Sequence, residues 1–329
     1  MRQPDIEAAT ARVAPHVRRT PLNRSADLSK LTGGEVLLKL ENLQETGSFK
    51  LRGAANAVLA VEERAAAAGD AGPQGLAAVS TGNHGRAVAH MARALDLPVE
   101  VFVSRHVPED KLAALRELGA TLHVGGDSQD EAEESAAAAS VESGLHLVHP
   151  FDDPDVIAGQ GTVGHEIGLD AAAAGEELDA VLVPLSGGGL LAGVALGLRL
   201  AGSAARVIGV AMRGGSAMAA SLAAGEPVPV AEVPTLADSL QGGLGLDNRL
   251  TFRLVSELLD ELILLDEHAI AEGMVFALQR EEQLLEGAGA VGIAAILDAP
   301  ERFAGQRLAV VLSGGNVPLA RVQRLAGFP

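Results

Sequence analysis

The sequence predicts an α/β fold with mostly parallel sheets covered by helices. Short β-rich runs alternate with long Ala-rich helical ones. Several of the short runs are apolar throughout, as strands covered on both faces must be. The strands are read at Val36–Leu40, Leu76–Ser80, Val99–Val103, Thr121–Val124, Ala180–Leu185, Val207–Ala211, Leu262–Leu265 and Leu308–Leu312. Helical runs between them include Ala54–Ala68, Gly85–Leu95, Glu109–Leu118, Gln129–Ser143 and Leu190–Ala201. The stretches Ala136–Ala139 and Ala171–Ala174 are good helix formers or flexible ends, a compositional bias. Domain boundaries are expected near Thr46 and near Pro150–Pro154.

A chain of 329 residues, 48% of them apolar, is enough for two domains with substantial cores. Cysteine is absent, which excludes disulfides, thiolate metal sites and thiol catalysis and fits a reducing compartment. A formal net charge of −18 would repel nucleic acid and anionic membranes, so neither is an expected partner. Met1-Arg2-Gln3-Pro4-Asp5 lacks the apolar core of a secretory signal. The longest charge-free run, Ala180 to Leu198, holds Pro184, Ser186 and three consecutive glycines, which suits a strand, loop and buried helix better than a membrane span. A cytoplasmic location is expected.

Four segments carry the chemistry. In Ser48-Phe49-Lys50-Leu51-Arg52-Gly53 one lysine stands between a strand and a helix beginning near Arg52. A lysine that attacks an aldehyde must be deprotonated, so it needs desolvation or a cationic neighbour. Phe49 offers an apolar wall and Arg52 a charge, although an exposed lysine opening a helix is the plainer reading of this segment alone. Ser186-Gly187-Gly188-Gly189-Leu190 joins an apolar strand to an apolar helix. Three glycines let the backbone approach a phosphate, and the helix N-terminus offers free N–H groups. Ser313-Gly314-Gly315-Asn316 sets a hydroxyl at the carboxyl end of a strand, where ligands bind, or forms an ordinary turn. Ser80-Thr81-Gly82-Asn83-His84 could hold a carboxylate or simply cap the following helix. Together the four could hold a phosphate, a pyridine ring, a carboxylate and an imine carbon, the inventory of a pyridoxal 5'-phosphate (PLP) enzyme.

Other motifs are weaker. Gly159-Gln160-Gly161-Thr162-Val163-Gly164 matches G-x-G-x-x-G, but Asp152-Asp153-Pro154-Asp155 precedes it where a dinucleotide fingerprint needs a strand. His165-Glu166 opens like a zincin motif, but position 169 is Leu. His146 and His149 have no clear third ligand, and no metal is expected.

In order and spacing the four segments resemble the fold-type II PLP enzymes (tryptophan synthase β-like), in the threonine dehydratase and serine racemase group. The resemblance runs from Arg19-Thr20-Pro21-Leu22 to Ser313-Gly314-Gly315-Asn316. Phe151-Asp152-Asp153-Pro154 through Thr162, Asp238-Ser239-Leu240 through Arg249, and Glu286-Gly287-Ala288-Gly289-Ala290 are most similar to the hydroxyectoine-utilisation dehydratase subgroup. The resemblance implies that Lys50 bonds covalently to PLP and removes the substrate Cα proton. Phe49 would flank the ring, and Asn83 would reach its 3-hydroxyl. Ser186, Gly187, Gly188, Gly189 and Leu190 would hold the phosphate, and Ser313 would meet the ring nitrogen. Ser80, Thr81, Asn83 and His84 would line the substrate carboxylate site, and Asp238 to Gly243 with Phe151 would select the side chain.

The implied organisation is a large PLP-binding domain of residues 1–46 and 150–329, with a small domain of residues 47–149 inserted, in a homodimer. The implied activity is elimination of water from a β-hydroxy-α-amino acid to give a 2-oxo acid and ammonia. A catabolic L-threonine or L-serine ammonia-lyase and an amino-acid racemase are the alternatives. Ala211 stands where racemase-like members carry a cation-binding glutamate, and Thr81 where they carry the serine that reprotonates the second face. The first puts that cation site in doubt, and the second weakens the racemase reading while keeping a hydroxyl in place. Hydroxyectoine itself has its α-nitrogen locked in a ring, so a ring-opened derivative would be needed to supply a primary amine.

Overall fold

The computed structural model describes residues 2–80, 82–105, 107, 109–126 and 129–327. The chain opens with α1 (Ile6–Val13), β1 (Leu22–Ser25), α2 (Ala26–Thr32), β2 (Glu35–Lys39), α3 (Lys50–Ala68), β3 (Gly75–Val79), α4 (Asn83–Ala94) and β4 (Val99–Val103). Next come α5 (Glu109–Glu117), β5 (Thr121–Val124), α6 (Gln129–Ser143), β6 (Leu145–Leu147), α7 (Pro154–Ala173), β7 (Ala180–Pro184) and α8 (Gly189–Leu200). The remainder is β8 (Arg206–Met212), α9 (Ala217–Ala224), α10 (Thr251–Leu258), β9 (Glu261–Leu265), α11 (Glu267–Arg280), α12 (Gly287–Asp298), β10 (Arg307–Val311) and α13 (Leu319–Leu325). Among the described residues, no helix is long and apolar enough to cross a membrane.

Two compact units divide the chain. One is Met1–Arg18 with Lys50–Gly159, the other Arg19–Phe49 with Gln160–Pro329. The first unit holds a four-stranded parallel sheet in the order β5-β4-β3-β6. Leu76, Val101, Val88, Met91 and Leu115 fill its core. The second holds a six-stranded sheet in the order β1-β2-β10-β7-β8-β9. In that sheet β1 pairs antiparallel and the other strands parallel. Leu182, Ile208, Val310 and Ile293 lie in its core.

All eight foreseen strands are present, shifted by a residue at most. β1 and β6 are not among them. β1 reads Leu-Asn-Arg-Ser on a sheet edge and lacks an apolar pattern, while β6 is only three residues long. The glycines of α7 are a further departure from local propensity. Gly161 and Gly164 lie inside this helix, where a nucleotide loop cannot form. A Cβ on Gly164 would strike the Val194 backbone, and one on Gly197 the Gly161 carbonyl. Glycine here lets α7 and α8 approach backbone to backbone, which outweighs its poor helix propensity.

A buried ion pair sits in the second unit. Lys39 of β2, with no exposed surface, donates from Nζ to Glu166 Oε2 at 2.6 Å and to the Thr20 carbonyl at 2.7 Å. Thr20 Oγ1 in turn donates to Glu41. Glu166 thus has a structural partner, which explains the acidic residue of the apparent zincin start.

Candidate active site

Each sheet reverses its strand order once, and the candidate residues cluster at both reversals. In the second unit the chain runs β7, β8, β9 in one direction and returns with β10 on the other side of β7. Parallel strands leave a crevice outside their carboxyl ends at such a switch point. β7 leads there into Ser186-Gly187-Gly188, and β10 into Ser313-Gly314-Gly315. Gly188 is the N-cap of α8, with φ +88° and no side-chain cap. A Cβ at Gly188 would lie 2.7 Å from Val255 Cγ2 and 2.9 Å from Met218 Cε. The loop therefore needs glycine both for its left-handed backbone and for room, and it presents helix N–H groups to an anion.

The segment before Lys50 is fastened to the Ser313 turn. Phe49 N–H donates to the Ser313 carbonyl at 3.0 Å, and Gly315 N–H to the Gly47 carbonyl at 2.9 Å. Ser48 and Gly314 oppose one another between these bonds as an antiparallel bridge. Side chains alternate across extended backbone, so Phe49 and Ser313 fall on one face and Ser48 on the other. That is the arrangement a flat heteroaromatic ring requires: an apolar side chain against it and a hydroxyl at its edge. Ser313 is buried, and its Oγ makes a long 3.5 Å contact to the Ala288 carbonyl. Behind the turn, Glu286 N–H donates to the Gly314 carbonyl at 3.2 Å. The sequence offered Glu286 only as part of a resemblance, with no sign that it backs this turn. Asp238 opens a single 3-10 turn and faces Arg321 at 3.8 Å.

In the first unit, β4 and β5 lie on one side of β3 and β6 on the other, which puts the switch point between β3 and β6. β3 leads into Ser80-Thr81-Gly82-Asn83-His84, and β6 into Val148-His149-Pro150. Thr81, an expected catalytic residue, lies outside the described residues. Ser80 Oγ accepts from Gly82 N–H at 3.2 Å, and α4 begins at Asn83, two residues before the expected start. Asn83 and His84 are buried. His84 Nε2 bonds the Val148 carbonyl at 2.7 Å and ties the two loops together. Because a carbonyl only accepts, Nε2 carries the proton and Nδ1 is left as the acceptor.

Lys50 opens α3, and its Nζ donates to the Pro150 carbonyl at 2.7 Å. Burial pushes the ammonium down from 10.5 to about 8. Arg52 is not the cause: its guanidinium donates to the Arg18 carbonyl at 3.1 Å. Pro150 was invisible as a partner because a backbone acceptor has no signature in sequence. Burial, aided by the Lys50 charge, pushes His84 down from 6.5 to about 3. His84 is thus neutral at physiological pH. Burial also lowers His146.

The buried histidine makes the fold sensitive to acid. With the folded value below the unfolded one, the folded protein loses stability as pH falls from 6.5 towards 3. The loss from His84 is about 3 kcal/mol by pH 4. His84→Gln keeps a donor for Val148 but cannot titrate. Urea melts at pH 7, 5 and 4 are expected to show a shallower acid slope for this variant than for the wild type.

Comparison with known proteins identifies the family. The model of the pyridoxal-phosphate dependent enzyme family matches residues 13–314. A Sinorhizobium fredii protein with a provisional threonine dehydratase name is 48% identical over 314 residues, covering 95% of this chain and 92% of that one. The L-threonine ammonia-lyase of Thermotoga maritima is 40% identical over 323 residues, covering 98% and 77%. The crystal structure of a T.th. threonine deaminase superposes with a TM-score of 0.85 at 39% identity, covering 95% and 98%. The chain belongs to the pyridoxal-phosphate dependent enzyme family and has the fold-type II architecture. Within that family it is a threonine dehydratase-like lyase that uses PLP.

Proposed function

We propose that this enzyme eliminates water from a β-hydroxy-α-amino acid and releases a 2-oxo acid and ammonia. The observation that carries the reading is the half-buried Lys50 amine, held at 2.7 Å from the Pro150 carbonyl and lowered by desolvation to about 8. Bound PLP supplies an electron sink for the pair left on Cα. Lys50 would hold the cofactor covalently, and its Nζ, once free, would take the Cα proton. Ser80, Thr81, Asn83 and His84 orient the substrate carboxylate, and Asn83 also serves the cofactor 3-hydroxyl. Phe49 flanks the ring. Ser186 to Leu190 receive the phosphate, and Ser313 meets the ring nitrogen. A neutral hydroxyl there stabilises a protonated ring nitrogen less than a carboxylate would. That weaker hold would favour loss of the β-hydroxyl as water, its proton supplied by the cofactor phosphate or a nearby side chain. The enamine product hydrolyses to the 2-oxo acid and ammonia.

The relatives' names support L-threonine as substrate, with L-serine as the alternative. The finer proposal is a ring-opened amino acid derived from hydroxyectoine, supported by the Phe151–Pro154, Asp238–Arg249 and Glu286–Ala290 segments. Asp238 and Phe151 would then select the side chain. The working form is proposed to be a cytoplasmic homodimer, with a large PLP domain (residues 1–46 and 150–329) and residues 47–149 inserted in it.

The test is the absorption spectrum of the purified protein with PLP, followed by L-threonine, L-serine and hydrolysed hydroxyectoine in turn, with ammonia and 2-oxo acid assayed. A visible band and one productive substrate are expected; no band after PLP addition overturns the reading. Gly188→Ala should raise the PLP dissociation constant about tenfold, because the left-handed backbone costs a Cβ roughly 1–2 kcal/mol. Titrating the apoprotein with PLP measures it.

A further inference from the structure

In the turn from His149 to Asp152, Pro150 is the partner of Lys50 and Phe151 a proposed side-chain selector, whereas His149 has been given no role so far. His149 Nδ1 accepts two backbone N–H groups, from Phe151 at 3.2 Å and from Asp152 at 2.7 Å. An imidazole nitrogen that accepts carries no proton, so His149 is neutral with its proton on Nε2. The ring packs edge-on against Phe151, with centroids 4.8 Å apart. One residue further, Asp153 Oδ1 accepts from Asp155 N–H at 2.7 Å and Val156 N–H at 3.0 Å, which caps α7. The backbone between β6 and α7 is thus pinned by two successive side chains. The carbonyl that this pinned turn offers to Lys50 is that of Pro150. Proline adds stiffness, since its φ is fixed.

We infer that the His149–Asp152 turn is a docking cradle for the Lys50 amine, in which His149 is the positioning residue and the Pro150 carbonyl the contact. A neutral amine that donates one N–H to this carbonyl is fixed in place and keeps its lone pair for an aldehyde carbon or a Cα proton. The inference rests on the proposed role of Lys50 and adds how the free amine is held.

The test uses apoprotein and pyridoxal, which lacks the phosphate and so reports on the amine rather than on the glycine loop. The rate of imine formation is followed by absorbance from pH 6 to 10.5 in the wild type, His149→Leu and His149→Asn. Leucine fills similar space but accepts nothing, whereas the asparagine Oδ1 can replace Nδ1. His149→Leu is expected to be about tenfold slow even on the high-pH plateau, where every amine is neutral. His149→Asn is expected within about twofold of wild type. A leucine variant with the wild-type plateau, or an asparagine variant as slow as the leucine one, overturns the inference. Amide exchange in the wild type is a second measurement that needs no variant: Phe151 and Asp152 N–H should be protected, and rapid exchange there overturns the cradle. A wild type that forms no imine at Lys50 would instead sink the underlying PLP assignment.

Discussion

Lys50→Ala is expected to lose the visible absorption band of lysine-bound PLP and to lower kcat/KM by about 10⁴-fold. Loss of a general base alone is worth roughly 10²–10⁴, and the same residue is the proposed covalent anchor. The wild-type spectrum and a coupled assay for the 2-oxo acid decide both points. The pH dependence carries the more specific test. With the ammonium at about 8, about a tenth of the Lys50 amine is neutral at pH 7. An ordinary lysine would be neutral in only about one molecule in 3,000. The rate at which apoprotein takes up PLP should therefore rise with pH to half its maximum near pH 8. A midpoint near 10 would show that Lys50 is not buried.

The same shift has a cost in stability. Folding lowers the Lys50 value, so the unfolded chain binds more protons between pH 8 and 10.5, and stability rises with pH across that window. Below pH 8 the full penalty is present, about 3 kcal/mol. Lys50→Met keeps the volume and removes the charge. Its apoprotein should be more stable than wild-type apoprotein at pH 7 and should lose that advantage by pH 10.5, as read from urea melts. The inactive variant would be the better-folded one.

Lys39→Met is expected to destabilise the protein by about 3–5 kcal/mol, the usual loss when one member of a buried pair is removed. The reason is what remains: Glu166, only 7% exposed, keeps a carboxylate whose ammonium partner at 2.6 Å has gone. Lys39→Met with Glu166→Leu removes both charges and should recover most of the loss, because an apolar pair of similar volume is often neutral or better. Denaturant midpoints for the two single variants and the double variant give the coupling. A double variant as unstable as the sum of the singles would mean that the two charges do not depend on one another.

The sequence was most legible where one residue type has one dominant use. The apolar runs of β7 and β10 are buried on both faces and read as strands directly. Gly188 announced itself through the run of three glycines, and its left-handed backbone supplies the reason. Contacts between distant residues were not legible. Lys50 meets Pro150 a hundred residues on, His84 meets Val148, and Lys39 meets Glu166. Two of these rest on backbone carbonyls, which every residue possesses. α7 was obscured for a different reason. Its glycines argue locally against a helix, and only the close approach of α8 shows why they are there.

The position of β10 in the six-stranded sheet bears on how a ribosome must make this protein. β10 lies between β2 and β7, yet it is the last strand of that sheet to be synthesised. Every strand of the four-stranded sheet has been translated by Leu147, so that sheet can close early. β2 and β7 must wait, each with an open apolar edge, for more than a hundred further residues after β7. Bare edges of this kind recruit other chains. A ribosome stalled before Arg307 therefore releases a sheet in two pieces, and such a chain is a natural client for chaperones or proteases rather than a weaker enzyme.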